Sequence, residues 1–347
     1  MPALLETEKR VDLTLFVGVE AYEVLGREAW TREVELVRVP VPARSRPLRV
    51  LAEQALLPAA ARRARIELLH NTLNTAAALP LLPQVTTIHD VIYKRFPETA
   101  GRLNAGVALL VPLAARRSRL ILTDSEASKR DLVELLGVEA TRVAVVPLGP
   151  GLPNPATPLP EAAVRDALAL GDAPIVLTVA AKRPHKNLGR LLDAFAELET
   201  NAVLVVPGFE TSYERELMSR ASDRVRFTGW VSDELLDGLY RAATCFVLPS
   251  LAEGFGLPVL EAMARGTPVA CSNASALPEV AGDAAAYFDP LDLDAIAETL
   301  RALIADGALR ESLAAAGLAR ARMFTWDAAA RLTVASYEAA LDPSRRS

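Results

Sequence analysis

The chain has 347 residues, 51% of them apolar and 23% charged, which excludes a disordered protein and leaves room for two cores. Its net charge of −5 is unevenly spread, with 20 Lys+Arg against 17 Asp+Glu in residues 1–150 and 18 against 26 beyond. No basic block with interleaved aromatics accompanies that imbalance, so nucleic-acid binding is excluded as the main task.

The opening "MPALLETEKR" (1–10) carries acids and no sustained apolar region, so it reads as the tail of a helix rather than a signal peptide. Strands are expected at 11–19, 34–40, 66–70, 84–90, 119–124 and 143–149, with helical patterns between them. The run "AGVALLVPLAA" (105–115) is too short to span a bilayer and is broken by Pro112. "GPGLPNPATPLP" (149–160), with five prolines, marks a linker. The pattern then restarts, with strands at 174–181, 202–208, 224–230, 244–250 and 267–272, and turns helical after 292. Alternation of this kind predicts two α/β domains with parallel sheets, which bind ligands at the carboxyl ends of their strands. The boundaries expected are 1–150, 151–325 and a final helix, 326–347, returning toward the first domain. Two facing sheets of this kind leave a cleft between them. Cys245 and Cys271 sit in apolar strand-like runs and read as buried free thiols, which fits a reducing cytosol.

The stretch "EGFGLPVLEAMARGTPVA" (253–270) bears chemistry. A core has no use for its glycines. A strand ending at Ser250, a Gly-rich loop and Pro258 in the first turn of a helix place free N–H groups and a positive helix end together, a site for an anion such as phosphate. Glu253 in the loop and Glu261 one turn into the helix suit hydroxyl groups, which donate to carboxylates. The bland reading is a helix start with incidental acids. "AAKRPHKN" (180–187) also follows a strand and opens a helix, and it holds two of the chain's five lysines, Lys182 and Lys186. "TIHD" (87–90) puts His89 at a strand end, as a core residue or a substrate contact. "DLD" (292–294) has the form of a metal-binding motif but opens a helix, so Asp292 reads as an N-cap. With three scattered histidines and no cysteine cluster, no metal site is expected.

The stretch 249–292, with its Glu-x7-Glu spacing, resembles the C-terminal signature of the retaining GT-B glycosyltransferases of family 4. Similarity continues through "KRPHKNLGRLLDAF", "TTIHDVIYKRFPE", "TDSEASKRDLVELLGV" and "FTWDAAA", covering about residues 10 to 340. The resemblance implies a GT-B fold of two Rossmann-like domains and a nucleotide-diphosphate sugar held mainly by the second. It implies that Glu261 binds ribose hydroxyls and that Glu253 contacts the transferred sugar. The amides of Gly254, Phe255, Gly256 and Leu257 would meet sugar hydroxyls and phosphate. Lys186, with Lys182 or Arg183, would neutralise the diphosphate, and His89 would contact donor sugar or acceptor. Asp90, Arg95 and Ser125 are the acceptor-side candidates. His185 sits where some relatives carry Arg and has no assigned role.

The function implied is retaining transfer of a hexose to a glycan or lipid-linked acceptor in cell-envelope or exopolysaccharide assembly, without cofactor or metal. "HDVIYKRFPE" is similar to mannosyltransferase-like members, so GDP-mannose is the first donor expected. The protein is expected in the cytoplasm or at the inner membrane face. The basic segment 44–65 is either a Rossmann helix with an arginine fringe or a helix resting on anionic lipid. One departure stands out: no glycine precedes Gly18, so the family's opening strand and Gly-rich loop are expected to be missing, leaving a gap in the first sheet. A non-catalytic binding protein of the same fold, or an inactive truncated form, is the alternative.

Overall fold

The computed structural model describes residues 1–7, 11–42, 44–99, 105–151, 157–209 and 211–345. Glu8 to Arg10, the end of the opening helix reading, and 152–156, the middle of the Pro-rich linker, lie outside the described residues. The chain forms two compact units. Unit 1 is Met1–Lys94, Ala100–Pro147 and Trp326–Ser347; unit 2 is Arg95–Thr99 and Leu148–Thr325.

Unit 1 contains β1 (Thr14–Val17), β2 (Glu35–Arg38), β3 (Leu69–Asn71), β4 (Gln84–Thr87), β5 (Leu120–Thr123) and β6 (Val143–Val145). Every pairing is parallel, but the strands form two separate sheets, β1-β2 and β3-β4-β5-β6. The helix Pro2–Thr7 packs through Leu4 on Ala330 and Val334 of the helix Trp326–Leu341. The same long helix covers β4 and β5, where Ala329 and Ala340 join Val85, Leu120 and Leu122 in a small core.

Residues 46–63 run as a helix with a wider turn inside it: α-helical over Arg46–Leu51, π-helical over Ala52–Leu56, α-helical again over Leu57–Arg63. Pro58 lacks the N–H that would bond to residue 54, and the ladder widens just before it. Ala52, Pro58 and Ala61 are buried, while Leu48, Leu51 and Leu56 are exposed.

Unit 2 is built on one six-stranded parallel sheet. Its strands are β7 (Ile175–Leu177), β8 (Val203–Pro207), β9 (Val225–Gly229), β10 (Cys245–Leu248), β11 (Val269–Ser272) and β12 (Ala286–Phe288), in the spatial order β12-β11-β10-β7-β8-β9. The β7, β8, β10 and β11 strands are buried throughout, as expected of a sheet covered on both faces. One continuous core runs from Val164 to Ala321 and includes Phe195, Leu204, Phe246 and Leu300. Cys245 and Cys271 lie inside it as free thiols. The first strand, β7, sits in the middle, so strand order reverses between β7 and β10. That reversal leaves a crevice at their carboxyl ends.

All eleven strands expected from the sequence form, most of them shorter than their apolar runs. The twelfth, β12, went unforeseen because three residues of "AAAYFDP" carry almost no β signal. Among the described residues no helix is long and apolar enough to cross a membrane.

Candidate active site

The loops after β7 and β10 carry the residues that the sequence singled out. Pro184–Lys186 forms a tight 3-10 turn, and Asn187 follows with a positive φ of 57°. Asn187 holds the turn in place, its amide donating to the carbonyls of Pro249 (3.1 Å) and Pro290 (2.7 Å). The amide of Leu251 donates to the His185 carbonyl at 2.8 Å, tying the two loops together.

The result is a lysine and a glutamate facing each other. Lys186 Nζ donates to both carboxylate oxygens of Glu253, at 2.7 and 2.8 Å. Ser250 Oγ donates to Glu253 Oε1 at 2.6 Å, and the Ser275 hydroxyl bonds the Glu253 main chain. The Glu253 side chain is only 8% exposed and that of Lys186 17% exposed, so the pair is largely shielded from water. The family resemblance implied different parts of a ligand for these two residues; the fold also pairs them with each other. An ammonium has three N–H groups. Two go to Glu253, which leaves one outside the pair among the described residues.

Beside this pair, Gly256 caps the helix Leu257–Ala264 with a φ of 108°, and Pro258 follows in the first turn. A side chain at 256 is doubly barred, since a Cβ would sit 2.7 Å from Leu277 in a conformation that suits glycine. Pro258 has no N–H, and the amides of Val259 and Leu260 donate to the Gly256 carbonyl at 3.0 and 3.3 Å, so in the first turn Leu257 has the one amide outside those bonds among the described residues. Phe255 is buried and packs edge-to-face on Phe324 at 5.8 Å, so its ring belongs to the core. Gly254 lies in the same turn. Glu261, one turn in, accepts a hydrogen bond from the buried Tyr240 hydroxyl at 2.9 Å. Burial pushes the Glu261 carboxyl above its ordinary value, against the pull of Tyr240 and Arg265. Gly151 comes so close that a Cβ there would fall 2.0 Å from Glu261 Oε1. Tyr240, Ser250, Ser275 and Gly151 gave no sequence signal, because each matters only through what the fold puts beside it.

The neighbouring lysine turns out differently. Lys182 is fully buried, donates to the Gly208 carbonyl at 2.5 Å and pairs with Glu214 at 3.5 Å. Lys182 is thus turned into the protein, whereas Arg183, next in the chain, is exposed. Burial, with Lys186 and Arg183 beside it, pushes the His185 imidazole down to about 4, and its Nδ1 has no hydrogen-bond partner among the described residues. His185 is therefore neutral and packs at 6.2 Å from the Phe96 ring. Asp292 accepts from the Ala295 amide as the N-cap of the helix Leu293–Ala305, as its position suggested.

Within unit 1, His89 sits just beyond β4 and is held from four directions. Its amide donates to Asn74 Oδ1 (2.8 Å) and its carbonyl accepts from Ser128 Oγ (2.9 Å). Ring atom Nδ1 lies 2.7 Å from Asp124 Oδ2, and Nε2 lies 3.2 Å from the Thr72 carbonyl. Ser125 caps the helix Glu126–Leu136 by accepting from the Ser128 amide. Asp90 accepts from the Ile92 amide. Arg95 is exposed and belongs to the short segment grouped with unit 2. Asp124, Asn74 and Thr72 were missed in the sequence. Asn74 left one clue, being a residue type that tolerates the positive φ of 59° it adopts.

Similarity to known proteins agrees with this geometry. Residues 161–320 match the family described as "Glycosyl transferases group 1", and residues 7–150 match "Glycosyltransferase Family 4". The chain is 34% identical over 268 residues to O-antigen chain mannosyltransferase B of Escherichia coli, covering 73% of this chain and 70% of that protein. It is 33% identical over 193 residues to the serotype-specific mannosyltransferase WbdA of Escherichia coli, but that match spans 52% of this chain and only 24% of the relative. Among solved structures, the Anabaena protein Alr3699/HepE in complex with UDP and glucose superposes with a TM-score of 0.71 at 20% identity, covering 97% of this chain and 93% of that one. A crevice at the β7/β10 reversal, a paired lysine and glutamate within it and these relatives have one common explanation: the chain belongs to the group 1, family 4 glycosyltransferases and has the GT-B fold.

Proposed function

We propose that this glycosyltransferase moves a hexose, mannose first among the candidates, from a nucleotide-diphosphate sugar to a glycan or lipid-linked acceptor, with retention of configuration and without metal or cofactor. The observation that carries the reading is the Lys186–Glu253 pair, shielded in the crevice at the sheet's reversal point and flanked by a glycine-capped helix N-terminus. The third N–H of Lys186, Arg183 and the amides of Gly254 to Leu257 would neutralise the diphosphate and stabilise its departure. Glu253 would accept from the transferred sugar and Glu261 from ribose hydroxyls. Attack from the same face, with the leaving phosphate taking the acceptor's proton, requires no further base. His89, Asp90, Arg95 and Ser125 would meet acceptor or sugar. Two mannosyltransferases among the relatives support the choice of sugar.

A second reading, ligand binding without turnover, is favoured by one observation, the interrupted sheet of unit 1. A thermal-shift screen of nucleotide sugars tests the first step common to both. A donor at a hundred times its dissociation constant stabilises its site by about 2.7 kcal/mol. GDP-mannose should give the largest shift, and donor hydrolysis without acceptor separates transfer from binding alone. No shift with any nucleotide sugar would overturn both.

We also place the protein at the inner membrane face. Leu48, Leu51, Leu56, Leu73 and Leu79 are exposed in unit 1, with Arg49, Arg62 and Arg63 along the helix that carries the first three. Exposed leucines flanked by arginines suit an anionic lipid surface.

A further inference from the structure

Among the described residues, the hydrogen-bond partners of the His89 ring nitrogens are both acceptors, Asp124 Oδ2 and the Thr72 carbonyl. A carboxylate oxygen and a backbone carbonyl oxygen can receive hydrogen bonds but cannot give them. A neutral imidazole has one N–H and one lone pair, so in that form one of the two contacts would set lone pair against lone pair. With both nitrogens protonated, both contacts become hydrogen bonds, one of them charge-assisted.

The surroundings keep both acceptors in place. Asp124 is the last residue before the Ser125 cap and its side chain is 5% exposed. The 72–78 loop that supplies the Thr72 carbonyl is pinned by the π-helical turn: Gln54 bonds Ala76 O (2.9 Å) and the Ala78 amide (2.8 Å), and Glu53 accepts from Thr75 Oγ1 (2.7 Å). The His89 side chain itself is 39% exposed, so one face of the ring remains open.

We propose that Asp124 is the positioning residue for His89, fixing its ring as an imidazolium that unit 1 presents to the substrate. The inference rests on the reading that His89 meets substrate; it adds the charge state, and the residue that sets it. A fixed cation of this kind acts on the part of the substrate it meets without reorganising during reaction.

The charged groups around His89 agree in sign. Asp124 at the end of β5 and Asp90 next in the chain both favour the cation, and the Thr72 carbonyl adds to them. His70, on β3, is the other imidazole coupled to it, and burial together with the His89 charge pushes it down to about 4, so it is neutral. Bonds to Tyr337 (2.7 Å) and Thr87 (2.8 Å) occupy both its ring nitrogens. The Asp124 hydrogen bond raises the His89 proton affinity above its ordinary value, against the effect of burial. The charge is therefore complete below the ordinary imidazole range and is lost as pH rises through the elevated one.

The chain has three histidines, so nitrogen-resolved NMR titration separates them. In the wild type at pH 7, both ring nitrogens of His89 should show the protonated shift, while His70 and His185 stay neutral. In Asp124→Asn, which keeps an acceptor but removes the charge, His89 should titrate at lower pH. His70 should keep its signature, which reports that unit 1 is folded. GDP-mannose turnover should lose activity on the alkaline side in the wild type, and that limb should move to lower pH in Asp124→Asn. A neutral His89 at pH 7 in the wild type would overturn the proposal even if the variant did not fold. So would an identical titration in both proteins, or an unmoved alkaline limb despite a moved titration. Absence of GDP-mannose turnover at every pH would instead sink the donor reading, with the titration still deciding the charge assignment.

Discussion

Unit 2 and unit 1 share an architecture of parallel strands and covering helices, yet they hold their functional residues in different ways. In unit 2 a single six-stranded sheet and one continuous core fix the strand ends, and the loops after β7 and β10 inherit that rigidity. In unit 1 the sheet is split and, among the described residues, the clustered part of the apolar core is divided into three small groups. There His89 depends on polar contacts, from Asn74, Ser128, Asp124 and Thr72, rather than on a large core. Where packing is thin, a network of directional bonds takes over the positioning.

The largest effect should come from emptying a core position in each unit. Leu204→Ala, in the middle of the unit 2 sheet, should cost about 4 kcal/mol, and Leu4→Ala, in a three-residue cluster, about 2 kcal/mol. Urea unfolding followed at Trp230 for unit 2 and Trp30 for unit 1 should show unit 1 melting first. Equal midpoints would mean that the split sheet has no energetic consequence.

The next effect tests the site in unit 2. Lys186→Ala should weaken donor binding and turnover together by roughly 1.5–3 kcal/mol, the value of a charge-assisted contact. Unchanged donor affinity by calorimetry would remove Lys186 from the site. Glu253→Gln should spare nucleoside diphosphate binding and depress transfer, because its carboxylate is expected to meet the sugar.

Glu261 should behave in the opposite sense. Its raised carboxyl means that folding favours the protonated form, a preference present at low pH and lost as pH rises through the raised value. Glu261→Gln should therefore raise the melting temperature of unit 2 near neutral pH while lowering nucleoside diphosphate affinity. A variant that lost both, or neither, would contradict a ribose-binding carboxylate held against its desolvation cost. Smallest of all should be binding to anionic vesicles at low salt through the exposed leucines of unit 1, read by co-sedimentation. Vesicles that leave the protein in the supernatant would leave the 46–63 helix a purely structural role.

Much of this was legible in the chain. Parallel strands buried on both faces write themselves as unbroken apolar runs, so β8 and β10 stand out at once. A glycine that must adopt a positive φ at a helix start, followed by proline, marks the loop at 254–258 just as plainly. Glu253, Glu261 and Lys186 could be picked out because their positions relative to strand ends and that loop are local properties. The burial of Lys182 could not be read, because its contacts with Gly208 and Glu214 depend on a segment 26 to 32 residues away.

What the sequence determined by itself is the alternation of strands and helices, the two α/β halves and the identity of the residues at the strand ends. These follow from periodicity and backbone stereochemistry, which act over a few residues. Only the tertiary structure decided which of those residues meet. Strand order brings 186 and 253 together across 67 residues of chain and 89 and 124 across 35, and pairing of charges is a short-range force that acts only after the sheet has been ordered. The split in the unit 1 sheet is of the same kind, because hydrogen bonding between strands is a relation between distant segments that no single segment encodes.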